Sequence, residues 1–441
     1  MATASAVPAV PKRTRGRLVY PQLTIPFVLL ILCFAAWGTA ANLTDVMVGV
    51  FRSIFDMSNL QAALVQFAYY GAYFSLAIPA ALINRRFGYK VGILTGLGLA
   101  ALGGALFIPA SKLLVYEFFL LALFVLAAGL SILETSANPF VIAMGPEDTA
   151  TQRLNLAQAF NPLGANIGVL LGAVLILPHI TSEAAKTIMS PEELRRTQEA
   201  DLSLVLGPYV GIAMVLVVIW LLIFYRKMPT PAEQSQEAGD VKSGTLARLW
   251  RNPHYRYGVG AQFFNVAAQV SVWTFTILYA QDVVGIAPGD SGWYLQASLI
   301  LFLVARFAMT YLLGIFRPTK LLFIMGALGV ALCLIAMFSQ NMVGLLAVVA
   351  ISLSLSLMFP TIYGVALQGL GEDTKFGAAG LVMAILGGAL IPLVHASLMD
   401  HVGAAFAFIV PAACLALVTC YAVFDLRTNR EGGELVAEVP A

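Results

Sequence analysis

Long uncharged stretches alternate with short polar ones along the whole chain, and the stretches are too long for the helices of a soluble fold. No residue from Leu18 to Thr44 is charged, and none from Phe118 to Leu133. About 20 apolar residues in a helix cross the hydrocarbon core of a bilayer, and longer runs cross it with tilt. The sequence therefore predicts twelve membrane-spanning helices, near 24–52, 60–83, 91–110, 115–145, 154–178, 204–225, 257–281, 292–316, 320–339, 342–370, 376–398 and 403–425. Helices follow because lipid offers backbone groups no partner, and a barrel would show short alternating strands instead.

The longest polar interruption, 226–256, divides the spans six and six. The expected organisation is an N-terminal six-helix bundle over 1–226, a cytoplasmic linker over 227–256, and a C-terminal six-helix bundle with a short tail over 257–441. A short internal echo supports the split. Gly145-Pro146-Glu147-Asp148-Thr149 follows the fourth span and Gly371-Glu372-Asp373-Thr374 the tenth, each after a proline-containing helix (Pro139, Pro360). Two parallel six-helix halves are a known transporter repeat pattern.

Composition agrees with this all-α polytopic reading: 60% of residues are hydrophobic, 11% are charged, and mean hydropathy is +0.86. The net charge of +2 says little, but its distribution orients the bundle. With both termini cytoplasmic, nineteen of the 25 Lys and Arg residues fall inside and five outside, with Arg306 within a span. That is the bias expected of cytoplasmic loops. The first apolar run is too long for a signal-peptide core and reads as an uncleaved first helix, which places the Asn42-Leu43-Thr44 sequon inside the membrane. The four cysteines all lie in apolar segments without metal-ligand spacing. No Gly-x-Ser-x-Gly elbow, His-Glu-x-x-His or phosphate loop is present, so neither catalysis nor nucleotide driving has a handle.

Against this background two acids stand out. Glu134 and Asp45 each sit alone in an apolar span, where a carboxylate is costly unless it faces a cavity, finds a partner or takes up a proton. Both are proton-coupling candidates. Polar neighbours gather around them at helical spacing: Asn138 four residues from Glu134, Asn42 three from Asp45, and Gln158 three from Asn161. In the seventh span Gln262, Asn265, Gln269 and Trp273 form a stripe at intervals of three, four and four. Amides donate and accept, as a sugar hydroxyl does, and an aromatic ring covers the apolar face of a pyranose. The competing reading of these amides is helix–helix hydrogen bonding, and Arg306 reads as a partner for a carbonyl or an acid. His395 reads as a core histidine.

Several of these segments carry a family resemblance. Asn84-Arg85-Arg86-Phe87-Gly88-Tyr89-Lys90 resembles the loop between the second and third helices of the major facilitator superfamily, with Asn84 where Asp is usual. Asn42-Leu43-Thr44-Asp45, Leu133-Glu134-Thr135-Ser136-Ala137-Asn138-Pro139-Phe140, and Arg153 to Asn161 resemble its fucose/galactose/glucose proton symporters. So do Ala261-Gln262-Phe263, Gln269, Trp273, Arg306-Phe307 and Phe359-Pro360-Thr361-Ile362. Three positions depart from the pattern: Phe359 stands where a Tyr is usual, Asn265 replaces an aromatic residue, and Pro162 follows Asn161. The resemblance implies a proton-coupled monosaccharide importer working by alternating access. L-fucose is the foremost cargo; galactose, glucose, mannose and a non-transporting sugar sensor are the alternatives. It also implies a monomer in the bacterial cytoplasmic membrane. Its partners would be sugar, proton and lipid, with no nucleic acid and no cofactor beyond the coupling proton.

Overall fold

Every regular element among the described residues is helical. The structure, a computed structural model, describes residues 17–55, 59–113, 115–171, 181, 189–228 and 244–435. The first half comprises α1 (Thr24–Phe55), α2 (Asn59–Phe87), α3 (Tyr89–Leu113), α4 (Tyr116–Ala143), α5 (Ala150–Gln158), α6 (Phe160–Leu171) and α7 (Pro191–Tyr225). A short helix α8 (Thr245–Arg251) precedes the second half. That half comprises α9 (Pro253–Asp282), α10 (Pro288–Leu313), α11 (Pro318–Ser339), α12 (Met342–Leu355), α13 (Met358–Ala366), α14 (Thr374–Met383), α15 (Gly387–Val402) and α16 (Ile409–Leu435).

Among the described residues, ten segments are long and apolar enough to cross a membrane. The expected second and fifth spans are not among them. The second is the long helix α2, whose apolar run is diluted by Tyr69, Tyr70 and Tyr73. The fifth is broken between α5 and α6, and its last expected residues, 172–178, lie outside the described residues. The sixth begins earlier than its hydropathy indicates. Ser190 and Glu193 form a reciprocal capping box that starts α7 well before the apolar stretch. The tenth and eleventh spans are also interrupted, at Ser356–Leu357 and at Ala384–Leu386.

The lipid-facing side is plain in α7, where Met214, Val215, Val218 and Leu222 are exposed. The inward faces pack tightly. Gly38 of α1 and Gly164 of α6 each face the other helix so closely that a Cβ would overlap a facing carbonyl. Arg153 closes the turn between α4 and α5. Fully buried, it donates to the carbonyls of Val141, Ile142, Gly145, Pro146 and Leu18, and so supplies donors to a helix end that lacks them.

The halves meet most closely at the end where α2 turns into α3. The apolar core of the first half continues into Tyr363, Ala366 and the α14 residues Ala378, Ala379, Leu381 and Val382. Arg85 lies 5.7 Å from the Phe376 ring centre and Lys375 5.5 Å from that of Tyr89. At the same end, Arg248 of α8 grips Asp373 with two bonds of 2.9 and 2.7 Å. This contact raises the Arg248 guanidinium above its ordinary value. The molecule is therefore closed at the end that carries α8.

Candidate functional site

Glu134 sits in the middle of α4 with 1% of its surface exposed. One carboxylate oxygen accepts from Asn138 Nδ2 at 3.5 Å, and the other has no partner among the described residues. Asn138 in turn accepts from Gln158 Nε2 at 2.8 Å. Three of the sequence-derived candidates thus form one buried polar chain from α4 to the end of α5. The Tyr363 hydroxyl, from the second half, lies within electrostatic reach of Glu134 and beside Asn138, without closing a hydrogen bond of good geometry.

The chain ends on the seam between the halves. Arg306 of α10 donates to the Gln158 carbonyl at 3.2 Å and to the Ser356 carbonyl at 2.6 Å. Its guanidinium lies 4.6 Å from the Phe302 ring centre. The expectation that Arg306 partners a carbonyl or an acid resolves to carbonyls. Nearby, Asn155 reaches the Thr361 hydroxyl and Gln152 the Thr310 carbonyl, both at 3.2 Å.

The α9 stripe is a separate group. Gln262 and Asn265 are fully buried, and none of the four polar atoms of their amides has a partner among the described residues. Buried polar groups are rarely left so, and a cluster of them marks a place where water or a hydroxylated ligand completes the bonding. Gln269 and Trp273 are half-buried. Trp273 donates to the Ser352 hydroxyl at 3.1 Å and stands edge-on to Phe302 at 5.0 Å, so its ring borders the ring that carries Arg306.

Asn42 donates to the Gly38 carbonyl of its own helix at 3.2 Å. Asn161 is half-buried, and its backbone lies against Gly38 where α1 and α6 touch. The backbone of Asp45 continues α1, while its side chain lies outside the described residues. His395 is buried between Phe275 and Phe408, at 4.2 and 5.3 Å, as a core histidine would be.

Sequence reasoning missed an aromatic wall. The Trp37 indole donates to the Tyr73 hydroxyl at 2.9 Å, and Tyr69 packs on Tyr73 with ring centres 5.2 Å apart. Tyr73 is within electrostatic reach of Glu134. The available signal was three tyrosines within five residues of an apolar helix, Tyr69, Tyr70 and Tyr73.

Comparison with known proteins settles the family. The model of the Major Facilitator Superfamily matches residues 27–385. The chain belongs to the major facilitator superfamily. Within it, the chain is 40% identical over 412 residues to the L-fucose-proton symporter of Escherichia coli (strain K12), covering 92% of this chain and 94% of that protein. It is 35% identical over 401 residues to the glucose/galactose transporter of Brucella abortus biovar 1 (strain 9-941), covering 90% and 93%. The crystal structure of the major facilitator transporter FucP in the outward conformation superposes with a TM-score of 0.86 at 39% identity, over 91% of this chain and 99% of that one. As a member of this superfamily, the protein is a twelve-helix, multi-pass membrane protein built as two six-helix halves. Members of the family are transporters, not enzymes.

Proposed function

We propose that this protein is a proton-coupled symporter that imports L-fucose by alternating access. The observation that carries the reading is the buried chain Glu134–Asn138–Gln158, which ends on a carbonyl bonded from the opposite half. An acid whose only hydrogen bond among the described residues is to an amide can gain or lose a proton with no ion pair among them to break. Its state reaches Gln158, where the halves meet. Similarity to the L-fucose-proton symporters of Escherichia coli and Haemophilus influenzae, at 40% and 38% identity, supports this cargo and this coupling ion.

In this reading Asp45 and Glu134 carry the coupling proton. Asn42, Asn138, Gln158, Asn161, Gln262, Asn265, Gln269 and Trp273 line the sugar path. The unpartnered amides of Gln262 and Asn265 supply donors and acceptors for sugar hydroxyls, and the Trp273 ring supplies an apolar face. Residues 1–226 and 257–441 rock against each other about this midplane site, joined by 227–256. In this reading the protein is a monomer of the bacterial cytoplasmic membrane, and the charge bias supports an orientation with both termini in the cytoplasm. Closure at the α8 end then corresponds to access from outside. A second reading keeps the mechanism and exchanges the cargo for galactose or glucose. Asn265 and Phe359, which depart from the fucose-permease pattern, keep it open if they line the sugar cavity.

Counterflow of labelled L-fucose in proteoliposomes tests the proposal, with galactose, glucose and mannose as competitors. L-fucose counterflow, and its accumulation when only a pH difference is applied, are the expected results. Galactose outcompeting L-fucose would move the cargo to the second reading. Absence of counterflow for every one of these sugars would leave a sensor.

A further inference from the structure

Three prolines in this fold each release a carbonyl, and in each case a side chain takes the released group. A proline inside a helix has no N–H, so the carbonyl four residues before it loses its donor. Pro139 does this to Thr135, and the buried Asn84 amide of α2 replaces the missing N–H at 3.3 Å. That repair stays within one half. Pro162 and Pro360 stand four residues after Gln158 and Ser356. Both carbonyls go to the same side chain, Arg306, at 3.2 and 2.6 Å. Ser356 belongs to the half that holds Arg306, and Gln158 belongs to the other. A carbonyl that has lost its helical donor would be left with no N–H partner, so the two prolines leave two acceptors in want of a donor, and one guanidinium joins them.

The surroundings make this bridge consequential. Arg306 is 4% exposed, and its remaining contact is the face of Phe302. Among the described residues no carboxylate lies within ion-pair distance of it. Its charge rests on two carbonyls and a ring, so losing one carbonyl leaves a buried cation short of an acceptor. Gln158, the residue that supplies the cross-half carbonyl, also donates its side-chain amide to Asn138 and so connects to Glu134.

The geometry points to Arg306 as a positioning residue of the transport cycle. Its bond across the halves to the Gln158 carbonyl, freed by Pro162, latches the state that is closed at the α8 end. The Gln158–Asn138–Glu134 chain brings the state of the acid to that latch. The latch rests on the alternating-access reading above but not on the identity of the sugar.

The test separates the two. Spin labels at positions 91 and 315, exposed residues of opposite halves at the closed end, report the separation of the halves without any sugar present. They are placed in protein whose exposed Cys420 is replaced by Ser. Pro162→Ala returns an N–H that competes for the Gln158 carbonyl and leaves the Arg306 charge in place. Arg306→Lys keeps the charge but cannot span both carbonyls. Each is expected to shift the ratio of separated to closed forms about tenfold, the change that one charge-assisted hydrogen bond supplies. Asn84→Ala strips the Pro139-freed carbonyl within one half and is expected to leave the distances as in the parent. Parent distances in folded Pro162→Ala overturn the latch, as does an equal shift in Asn84→Ala. If Arg306→Lys does not fold, Pro162→Ala decides alone. A shifted distance with no counterflow of any sugar keeps the latch and removes the transport reading.

Discussion

Replacing Glu134 by Gln asks whether the protonation of this acid modulates sugar binding. The side chain is buried, with one oxygen 3.5 Å from Asn138 Nδ2 and the other without a partner. Ionised, an unpaired buried carboxylate carries a penalty of several kcal/mol. One long hydrogen bond to a neutral amide returns about 1–3 kcal/mol of that. The neutral acid is therefore the form that fits these surroundings with least cost, and Gln copies its shape. The Gln oxygen can keep the Asn138 contact and hence the 2.8 Å bond from Asn138 to Gln158. At worst the new NH₂ group stays unpartnered, a cost of about 1–3 kcal/mol that a folded membrane protein can absorb. The variant should fold, bind sugar within a few-fold of the parent and exchange it in counterflow. The pH dependence of sugar binding, followed by isothermal titration between pH 5.5 and 8.5 (~ in half-unit steps), should flatten, since the acid can no longer change state. Correctly folded Glu134→Gln that binds no sugar, or that keeps the parental pH dependence, refutes the reasoning.

Asp45→Asn should abolish uphill uptake. One proton moving down ~100 mV supplies about 2.3 kcal/mol, enough for roughly 40-fold accumulation, and this ratio should fall to about one while counterflow persists. Pulse-labelled uptake under an imposed pH difference measures it, and retained accumulation in a folded variant sinks the coupling role. Gln262→Ala and Asn265→Ala should each weaken sugar binding about tenfold, the value of one or two neutral hydrogen bonds, with little change in melting temperature. Unchanged affinity in both would make the stripe a packing device. Asn84→Asp should destabilise the fold by about 2–4 kcal/mol, because it sets a buried carboxylate against the Thr135 carbonyl that Asn84 now serves as donor. Thermal melts in detergent read this, and an unaltered transition refutes it.

The sequence made the spans legible because lipid imposes a length, and length survives without an alignment. Helix ends outside the apolar runs were less visible. The start of α7 depends on Ser190 and Glu193, a local capping pair within a polar segment that hydropathy reads as loop. The helix breaks were legible only in part. Pro139, Pro162 and Pro360 were in view, but a proline shows which carbonyl is released and not which side chain receives it. Periodicity joined Glu134 to Asn138 within one helix. It could not join Asn138 to Gln158, twenty positions on, or Gln158 to Arg306, 148 positions on, since those contacts come from packing. Tyr73 and Trp37 were missed for the same reason. Each reads as an ordinary apolar-span aromatic until α1 and α2 are laid together.

The strengths of the bonds along the seam fit a machine that must open. Where α5 and α6 face the second half, four hydrogen bonds cross among the described residues: Gln152 to the Thr310 carbonyl, Asn155 to the Thr361 hydroxyl, Arg306 to the Gln158 carbonyl, and Gln296 to the Asn166 side-chain oxygen, each at 3.2 Å. The shortest of the buried bonds named here stay within a half: Gln158 to Asn138 at 2.8 Å, Arg306 to Ser356 at 2.6 Å, and Thr319 to Asp425 at 2.6 Å, although Asn138 to Glu134 within the first half is longer, at 3.5 Å. The short ion pair at the closed end, Arg248 to Asp373, ties α8 to the second half and does not tie the two halves together. Interhelical polar contacts in membranes average roughly 0.6 kcal/mol, so the polar part of the seam, apart from the apolar contact at the α8 end, contributes an energy close to the roughly 2.3 kcal/mol that one proton delivers across 100 mV. A seam built from buried ion pairs would exceed that and trap one state. This seam instead leaves the balance between closed and open forms within reach of a single proton and a bound sugar, which is the condition for reversible transport.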